Sequence, residues 1–547
     1  MRRRAALLGM LGLVALFGSV SGGSAAAPVP ASLYSNSDAS VLSVSCAAAG
    51  DCVAGGYYVL PNGYSRQAFV VSETNGSWGK PIEVPGKGEI NGNRDALVDS
   101  VSCPATGDCV AGGVYTDRNG NSQAFVANET NGVWGDAIEV PGTETLISAA
   151  VESVSCGAVG DCAAAGLYLD GSGVPAFVAS ETNGVWGNAI EVPGTATINT
   201  EEIIQGTPVS CAAAGECAAG GQYTDGSGHR QAFVLSEKNG VWGAAMEVPD
   251  TATLNIGGDA GVKSVSCAAA GDCSAGGYYS DVSGHKQAFV VSETNGVWGD
   301  AIEVPGTGTL NSGGDAGLES LSCAAAGDCS AGGHYTDGSG HLQAFVVSET
   351  NGSWSNAIEV PGTATLNTDG KAGVSSVSCA AAGDCAAGGS YQDGAGHVQP
   401  FVVNETNGSW GDAIEVPGTA ALNTGGKARV YAVSCAAAGD CTAGGGGFYI
   451  GIRSKIRAFV VSETNGSWSK ARALRKFPVF CVVPNVVGQE LRFAKGHIAE
   501  SNCSIGTITR VYSTAKYGRI LAQHPKPAKH LRRGATVALT VSNGRRR

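Results

Sequence analysis

Several things are missing from this 547-residue chain. Between Val41 and Leu474 no stretch keeps a helical period, which excludes an α-helical core for that span. Beyond the N-terminus no run is apolar enough to cross a bilayer. The 18 cysteines form no Cys-x-x-Cys, which removes the usual redox motif. No histidine accompanies every pair, and a Cys-x5-Cys spacing is wider than zinc sites use. There is no Gly-x-Ser-x-Gly elbow and no Ser/His/Asp set, so nucleophilic catalysis finds no support. Arginines of the large region are few and irregular: Arg66, Arg94, Arg118, Arg230, Arg429, Arg453 and Arg457.

What is present is a repeat. Cysteines come in pairs six positions apart: Cys46/Cys52, Cys103/Cys109, Cys156/Cys162, Cys211/Cys217, Cys267/Cys273, Cys323/Cys329, Cys379/Cys385 and Cys435/Cys441. The first members are spaced 57, 53, 55, 56, 56, 56 and 56 residues apart. One tryptophan follows each pair, from Trp78 to Trp468. A fixed period of this size means a repeat architecture. The N-terminus has Arg2–Arg4, an apolar run Ala5–Val20 and small residues Ser24–Ala27. It reads as a secretory signal peptide over 1–26, cut near Ala26 or Ala27, with no stable membrane span after cleavage. An exported chain turns paired cysteines into disulfides. Each pair would tie two neighbouring strands at a hairpin end, one staple per repeat.

Within Val265–Gly306 four short strands are legible: Ser264–Cys267, Cys273–Tyr279, Gln287–Thr294 and Val297–Val304. Asn295-Gly296 suits the two left-handed positions of a type I′ hairpin turn. On the fourth strand Trp298, Ile302 and Val304 share one parity and Glu303 the other. The recurring glutamate of EVPG fits an outer edge strand, where charge discourages edge-to-edge pairing. A four-stranded unit cannot bury its faces alone, so neighbours must stack on it. The fold class expected is all-β: an eight-bladed β-propeller of four-stranded antiparallel blades over 33–474.

The order of short strand, SCxxxGxCxAxG, turn and NGxW resembles secreted bacterial propellers related to BNR/Asp-box repeat proteins. It departs from them in SETNGVW (Ser292–Trp298), which lacks the Asp and is a residue short. A sialidase-like site would imply a central constellation of arginines, a Tyr and a Glu, which the irregular arginines do not supply.

After Trp468 the composition changes. Lys470–Arg547 carries 16 Lys/Arg against Glu490 and Glu500, a formal charge near +14. Ala27–Ser469 carries 15 Lys/Arg against 45 Asp/Glu, near −30. Such asymmetry means different partners, or each other. The expected elements are a strand at Val483–Gly488, a helix at Gln489–Ser501 with Leu491, Ala494 and Ile498 on one face, and strands at Ile505–Ser513, Ile520–Gln523 and Ala535–Ser542. VPNVVG, RILAQHPKP and RRGATVALTVSNG resemble a PASTA domain, over 481–544 after a linker at 475–480 and before a basic tail at 545–547. The fold expected for this module is small and α+β. The resemblance implies association with peptidoglycan or anionic wall polymers, and the candidate wall-binding residues are Arg510, Lys516, Arg519, Lys526, Lys529, Arg532 and Arg533. Cys481 and Cys503 remain as a ninth disulfide pair.

Other candidates have plainer readings. His229, His285, His341 and His397 share one repeat position and read as solvated turns. The DGSG turns (Asp225–Gly228, Asp337–Gly340) lack the spaced acids and closing Glu of a tight calcium loop. Unique residues are the better place for a site, and repeat eight offers Arg429, Tyr431, Arg453, Lys455 and Arg457. No catalytic, cofactor or metal residue is assigned, and nucleic acid does not suit so acidic a large domain. The expectation is a secreted or wall-associated, non-enzymatic binding or adhesion protein. Its propeller would present a surface to a protein or glycan ligand. The alternative is a secreted glycan-active enzyme, which would show non-repeating polar residues converging on the central channel.

Overall fold

A computed structural model describes residues 38–546 apart from 61–64, 87–94, 118, 170–172, 196–205, 448–456, 476, 478–479, 502, 528 and 533. The signal-peptide reading therefore lies outside the described residues. No helix among the described residues is long and apolar enough to cross a membrane.

The repeats are blades of an eight-bladed β-propeller. In the fifth, strands Gly261–Ala269, Asp272–Ser280 and Lys286–Thr294 pair antiparallel in sequence order. The turn at Asn295-Gly296 takes φ of 51° and 79°, the left-handed pair that an Asn-Gly hairpin allows. The fourth strand is interrupted: Val297–Trp298 and Ile302–Glu303 each pair with the third strand, and Gly299–Ala301 lie between. The break corrects the single parity expected there. Trp298 and Val304 are buried, but Ile302 is 46% exposed. Links between blades carry short helical turns in the later repeats, such as Thr307–Leu310.

Every staple is bonded within its own blade: Cys46–Cys52, Cys103–Cys109, Cys156–Cys162, Cys211–Cys217, Cys267–Cys273, Cys323–Cys329, Cys379–Cys385 and Cys435–Cys441. Cys46 and Cys52 face each other across the pair of strands they tie. The staples sit at hairpin ends, yet they are more than surface ties. The second cysteine of each pair, namely Cys52, Cys109, Cys162, Cys217, Cys273, Cys329, Cys385 and Cys441, is buried. Its strand lies between two others, so its sulfur packs against the neighbouring sheet.

The core sits between blades, because each sheet has two apolar faces. Between blades four and five, Ala232, Val234 and Val248 meet Val262, Val265, Phe289 and Trp298. Equivalent clusters fill the other interfaces, including the seam where Val460 and Leu474 of blade eight meet Val41, Phe69 and Trp78 of blade one. A Gly-Gly pair on most second strands sets the fit. A Cβ on Gly56 would lie 2.0 Å from Ser40 O of its own blade, and one on Gly55 would lie 2.6 Å from Val98 of the next. Blade three has Ala165 at the position of Gly55, and there blade four has Gly206 in place of the valine.

Two polar belts join the blades. The serine before each first cysteine accepts the amide N–H of the next blade's first cysteine. Ser45 receives Cys103 N at 3.0 Å, and the series runs round to Ser434, which receives Cys46 N at 3.0 Å. The ring thus closes by side-chain bonds and a backbone bridge between Ser40 and Gly446, with no strand exchanged between its ends. A second belt is a buried glutamate per blade: Glu73, Glu129, Glu181, Glu237, Glu293, Glu349, Glu405 and Glu463. At seven interfaces the previous blade's Ser or Asn donates to it, as Ser236 Oγ does to Glu293 Oε1 at 2.7 Å. The same Ser236 Oγ accepts Trp298 Nε1–H at 3.0 Å.

Beyond blade eight, Phe477 enters the seam. Its ring stacks on Tyr58 at 5.1 Å and meets Phe69 edge-on at 5.0 Å. Next, Phe480–Val482 pairs with His530–Arg532, and a three-stranded sheet has Thr536–Ser542 between Ser504–Val511 and Ile520–His524. The expected strand at Val483–Gly488 is not one. Pro484 has no N–H to give, and Val486 N is taken by Gln523 Oε1 at 2.8 Å. The strand lies just before it instead. The helix spans Leu491–Glu500 with Ala494 and Ile498 fully buried, and Cys481–Cys503 is bonded.

Candidate functional site

The first strands form the inner wall, since each is hydrogen-bonded through serines to the first strands beside it. In seven blades this strand has a β-bulge four residues before its first cysteine. A bulge re-aims a side chain and breaks the repeat's uniformity. The bulged residues are Leu42, Asp99, Glu152, Lys263, Glu319, Ser375 and Tyr431, and blade four places Thr207 at the same position. The flanking positions largely recur, whereas these eight are of seven residue types, with only Glu appearing twice. They form a ring at the end of the channel away from the disulfides.

Contacts run from one to the next. Thr207 Oγ1 donates to Glu152 Oε2 at 3.2 Å. Asp99 keeps some surface but has protein on every side, as a channel residue does. Burial, then the nearby Glu152 charge, push its carboxyl well above the ordinary range. Burial also raises Glu152, against Thr207 and Lys263. Burial opposes charge on Glu319 too, but His334 Nδ1 at 3.4 Å, with Lys263 and Lys286, holds it below the usual range. Burial raises the Tyr431 hydroxyl, with Arg429 opposing.

A second non-repeating ring lies on the second strands, five residues past each second cysteine: Tyr57, Val114, Leu167, Gln222, Tyr278, His334, Ser390 and Gly446. Its polar arc spans blades four to six. Tyr278 OH lies 2.9 Å from Gln222 Oε1 and 3.3 Å from Asp259 Oδ1, so its one proton is shared between these acceptors, and Lys286 Nζ sits 4.2 Å from its ring centre. Burial pushes that hydroxyl up to about 12. Arg230 and Lys286 both reach Asp259, at 3.4 and 3.5 Å, and Arg66 pairs with Asp95 at 3.0 Å. The arrangement offers donors, acceptors and an aromatic edge around one opening, a surface that can grip a polar ligand. The opposite end repeats: Gly76 N bonds Gly50 O at 2.9 Å and Asn75 N bonds Asp51 Oδ1 at 3.1 Å, and the other blades copy this.

The expected candidates fall unevenly on this map. Arg429 and Tyr431 belong to the mouth. Arg457 precedes a third strand, and Arg453 and Lys455 lie outside the described residues. The four histidines cap turns: Asp281 Oδ1 accepts His285 N at 3.0 Å, and the imidazole covers Gly314 of the next link. The EVPG glutamates sit on outer strands as expected and accept a tyrosine, as Glu303 does from Tyr279 OH at 2.9 Å. The staple cysteines take no part in the mouth. Cys109, Cys162 and Cys217 lie inside the apolar clusters between blades, and Cys385 is equally buried. No free thiol occurs among the described residues, and each blade staple ties its own strand pair.

Among the wall-binding candidates Arg510, Lys516, Arg519, Lys526 and Lys529 are exposed. Arg510 and Arg519 flank the Val541 end of the central strand Thr536–Ser542, whereas Lys526 and Lys529 follow His524, opposite Ala538. The basic residues therefore form two groups. Arg532 is in a strand, and Arg533 lies outside the described residues. Sequence reading missed the bulge ring and the buried glutamates. The signals were a varying residue inside the constant frame V-x-S-V-S-C, and a glutamate sharing strand parity with Phe289 and Val291.

Residues 482–543 match the model of the PASTA domain. The C-terminal module is a PASTA domain. No curated protein matches the chain in sequence. Among solved structures the chain is similar to Sqt1 from Chaetomium thermophilum, with 11% identity, TM-score 0.45, and 79% of this chain and 97% of that one covered. It is also similar to BP39L lectin from Burkholderia pseudomallei, with 11% identity, TM-score 0.40, and 69% and 99% covered. A third is the Hadza microbial sialidase Hz136, with 10% identity, TM-score 0.32, and 64% and 74% covered.

Proposed function

We propose that this is an exported, non-enzymatic binding protein of the cell envelope. The PASTA domain holds it to peptidoglycan or anionic wall polymers, and the channel mouth presents its ring of unlike residues to a glycan or peptide. The observation that carries the reading is that mouth: a repeat whose first and second strands each carry a varying position, both at one end of the channel, is built to meet a particular ligand there. Nine disulfides suit an oxidising compartment outside the cytoplasm.

The test for the wall is sedimentation with purified cell walls, using the full chain with and without charge reversal at Arg510, Lys516 and Arg519. Binding falls in the variant and weakens in salt, as the Debye length drops from ~10 Å at 0.1 M to ~3 Å at 1 M. Equal binding by the variant overturns that role for this basic group. The test for the mouth is a glycan and peptide array, with Glu319→Gln and Tyr278→Phe as comparators. A ligand that both variants retain undiminished overturns the mouth as the site.

One observation favours a second reading, glycan hydrolysis. Asp99, Glu152 and Glu319 are non-repeating carboxyls on the inner strands, the kind of residue a glycan-active site would bring to the channel; burial raises the first two, while on Glu319 burial is outweighed by His334, Lys263 and Lys286, which hold it lower. Release of sugar from wall glycan that Glu152→Gln abolishes selects this reading.

A further inference from the structure

The glutamate belt has one break. Glu349 is 5% exposed, yet no hydrogen bond reaches its carboxyl. The serine that should serve it, Ser292, is engaged instead with Ser274 Oγ at 3.2 Å. Ser274 stands where blades one to four and seven carry Val or Ala. Blade six has the same pair, but there Ser348 and Ser330 both reach Glu405, at 2.5 and 2.8 Å. Trp354, in the position of the tryptophans that donate to this serine, makes no such bond. At this break a cavity of about 450 Å³ opens between blades five and six, lined among others by Glu349, Trp354, Ser292, Asp272, Asp300 and Ile302. Its size lies within the ~300–1,000 Å³ of small-molecule sites.

The lining includes four carboxylates, Glu349, Glu293, Asp272 and Asp300, and no lysine or arginine. Val290, Val291 and Ile302 add apolar wall. No group of three or more His, Cys, Asp or Glu suited to a metal occurs among the described residues. We propose that this cleft binds a primary alkylammonium, as found on a lysine-like side chain or a diamine. The ammonium takes the place of Ser292 as partner of Glu349. Its charge is shared with the face of Trp354, since cations sit favourably over indole rings, and its alkyl stem lies along Val290 and Ile302. The site is distinct from the channel mouth and stands or falls apart from it.

The probes are 1,5-diaminopentane and n-pentylammonium, with 1-pentanol as the uncharged comparator, titrated calorimetrically into the full chain at pH 7.5. Each amine binds with one saturable site, and pentanol binds at least tenfold more weakly. Glu349→Gln weakens the amines at least tenfold, whereas Glu237→Gln, the same belt position elsewhere, leaves them within twofold. Ser274→Ala weakens them as well, because it frees Ser292 to serve Glu349. In unaltered protein, affinity falls as pH is lowered from 8 to 5 and Glu349 protonates. The charges facing it are Asp328, Asp272, Asp300 and Glu293, all acidic, so none supplies a competing cation. Equal binding of pentanol, affinity unmoved by Glu349→Gln or by pH, or no saturable amine binding overturns the proposal.

Discussion

Replacing Glu349 by Gln is expected to stabilise the protein above neutral pH. Burial, then the Asp328 charge, raise this carboxyl from 4.5 to about 7. The folded state therefore binds its proton more tightly than the unfolded chain does. Its contribution is most favourable below the unfolded value, and stability falls as pH rises from about 4.5 to about 7. Above that window the ionised group sits without a partner. At ~1.36 kcal/mol per pKa unit the cost is about 3 kcal/mol. Glutamine keeps the shape and removes the titration. Scanning calorimetry with disulfides intact should place the Glu349→Gln midpoint above that of the unaltered protein at pH 8, with the gap closing at pH 5. Midpoints are compared rather than free energies, because an eight-bladed ring need not unfold in one step. Glu405→Gln is the contrast: it weakens two charge-assisted bonds from serines and should lower the midpoint by the equivalent of about 1.5–3 kcal/mol. A Glu349→Gln midpoint at or below the parent at pH 8, or an offset identical at both pH values, refutes the reasoning.

Phe477→Ala should loosen the seam between blades eight and one at a cost of about 2 kcal/mol, below the ~3–5 of a fully buried ring. Hydrogen exchange should rise first in Ala39–Ala48, and unchanged protection there would count against the role. Ser434→Ala deletes one bond of the serine belt at the same seam and should cost about 1 kcal/mol, read as a lowered melting midpoint. Non-reducing peptide mapping should return eight local links and Cys481–Cys503. Each short loop adds roughly 2–2.5 kcal/mol in the chain-entropy model, so reduction should lower the midpoint sharply.

The sequence made the blades legible because their determinants are local: cysteine spacing, Asn-Gly turns and strand alternation recur with one period. The same uniformity hid the site. A bulge at Asp99 or Lys263 depends on how a first strand meets the Gly-Gly pair of the second, and no local signal marks it as a bulge. A parity count puts Ile302 on the same face as Trp298, because a three-residue interruption at Gly299–Ala301 is invisible to it. The cysteine pairs showed which residues bond, but not that Cys109 or Cys217 would also fill an interface, because that depends on the sheet stacked alongside. In the PASTA domain the sequence predicts a strand over Val483–Gly488, a span that includes the apolar Val483 and Val486. They are indeed buried, but Pro484 and the side-chain amide of Gln523 decide their backbone. Burial was legible there, and pairing was not.

Phe477 has a mechanical consequence. The chain runs from blade eight through Leu474 and Phe477, both packed against blade one, directly into Cys481 of the PASTA domain. If the proposed wall anchoring of the C-terminus and ligand binding at the channel mouth both hold, a load between them is delivered first to that aromatic ring. The ring would then work as a shear pin, drawn away from Tyr58 and Phe69 before tension reaches the serine belt; the eight blade disulfides, each confined to one blade, lie outside that line of force until the blades part, whereas Cys481–Cys503 lies within it.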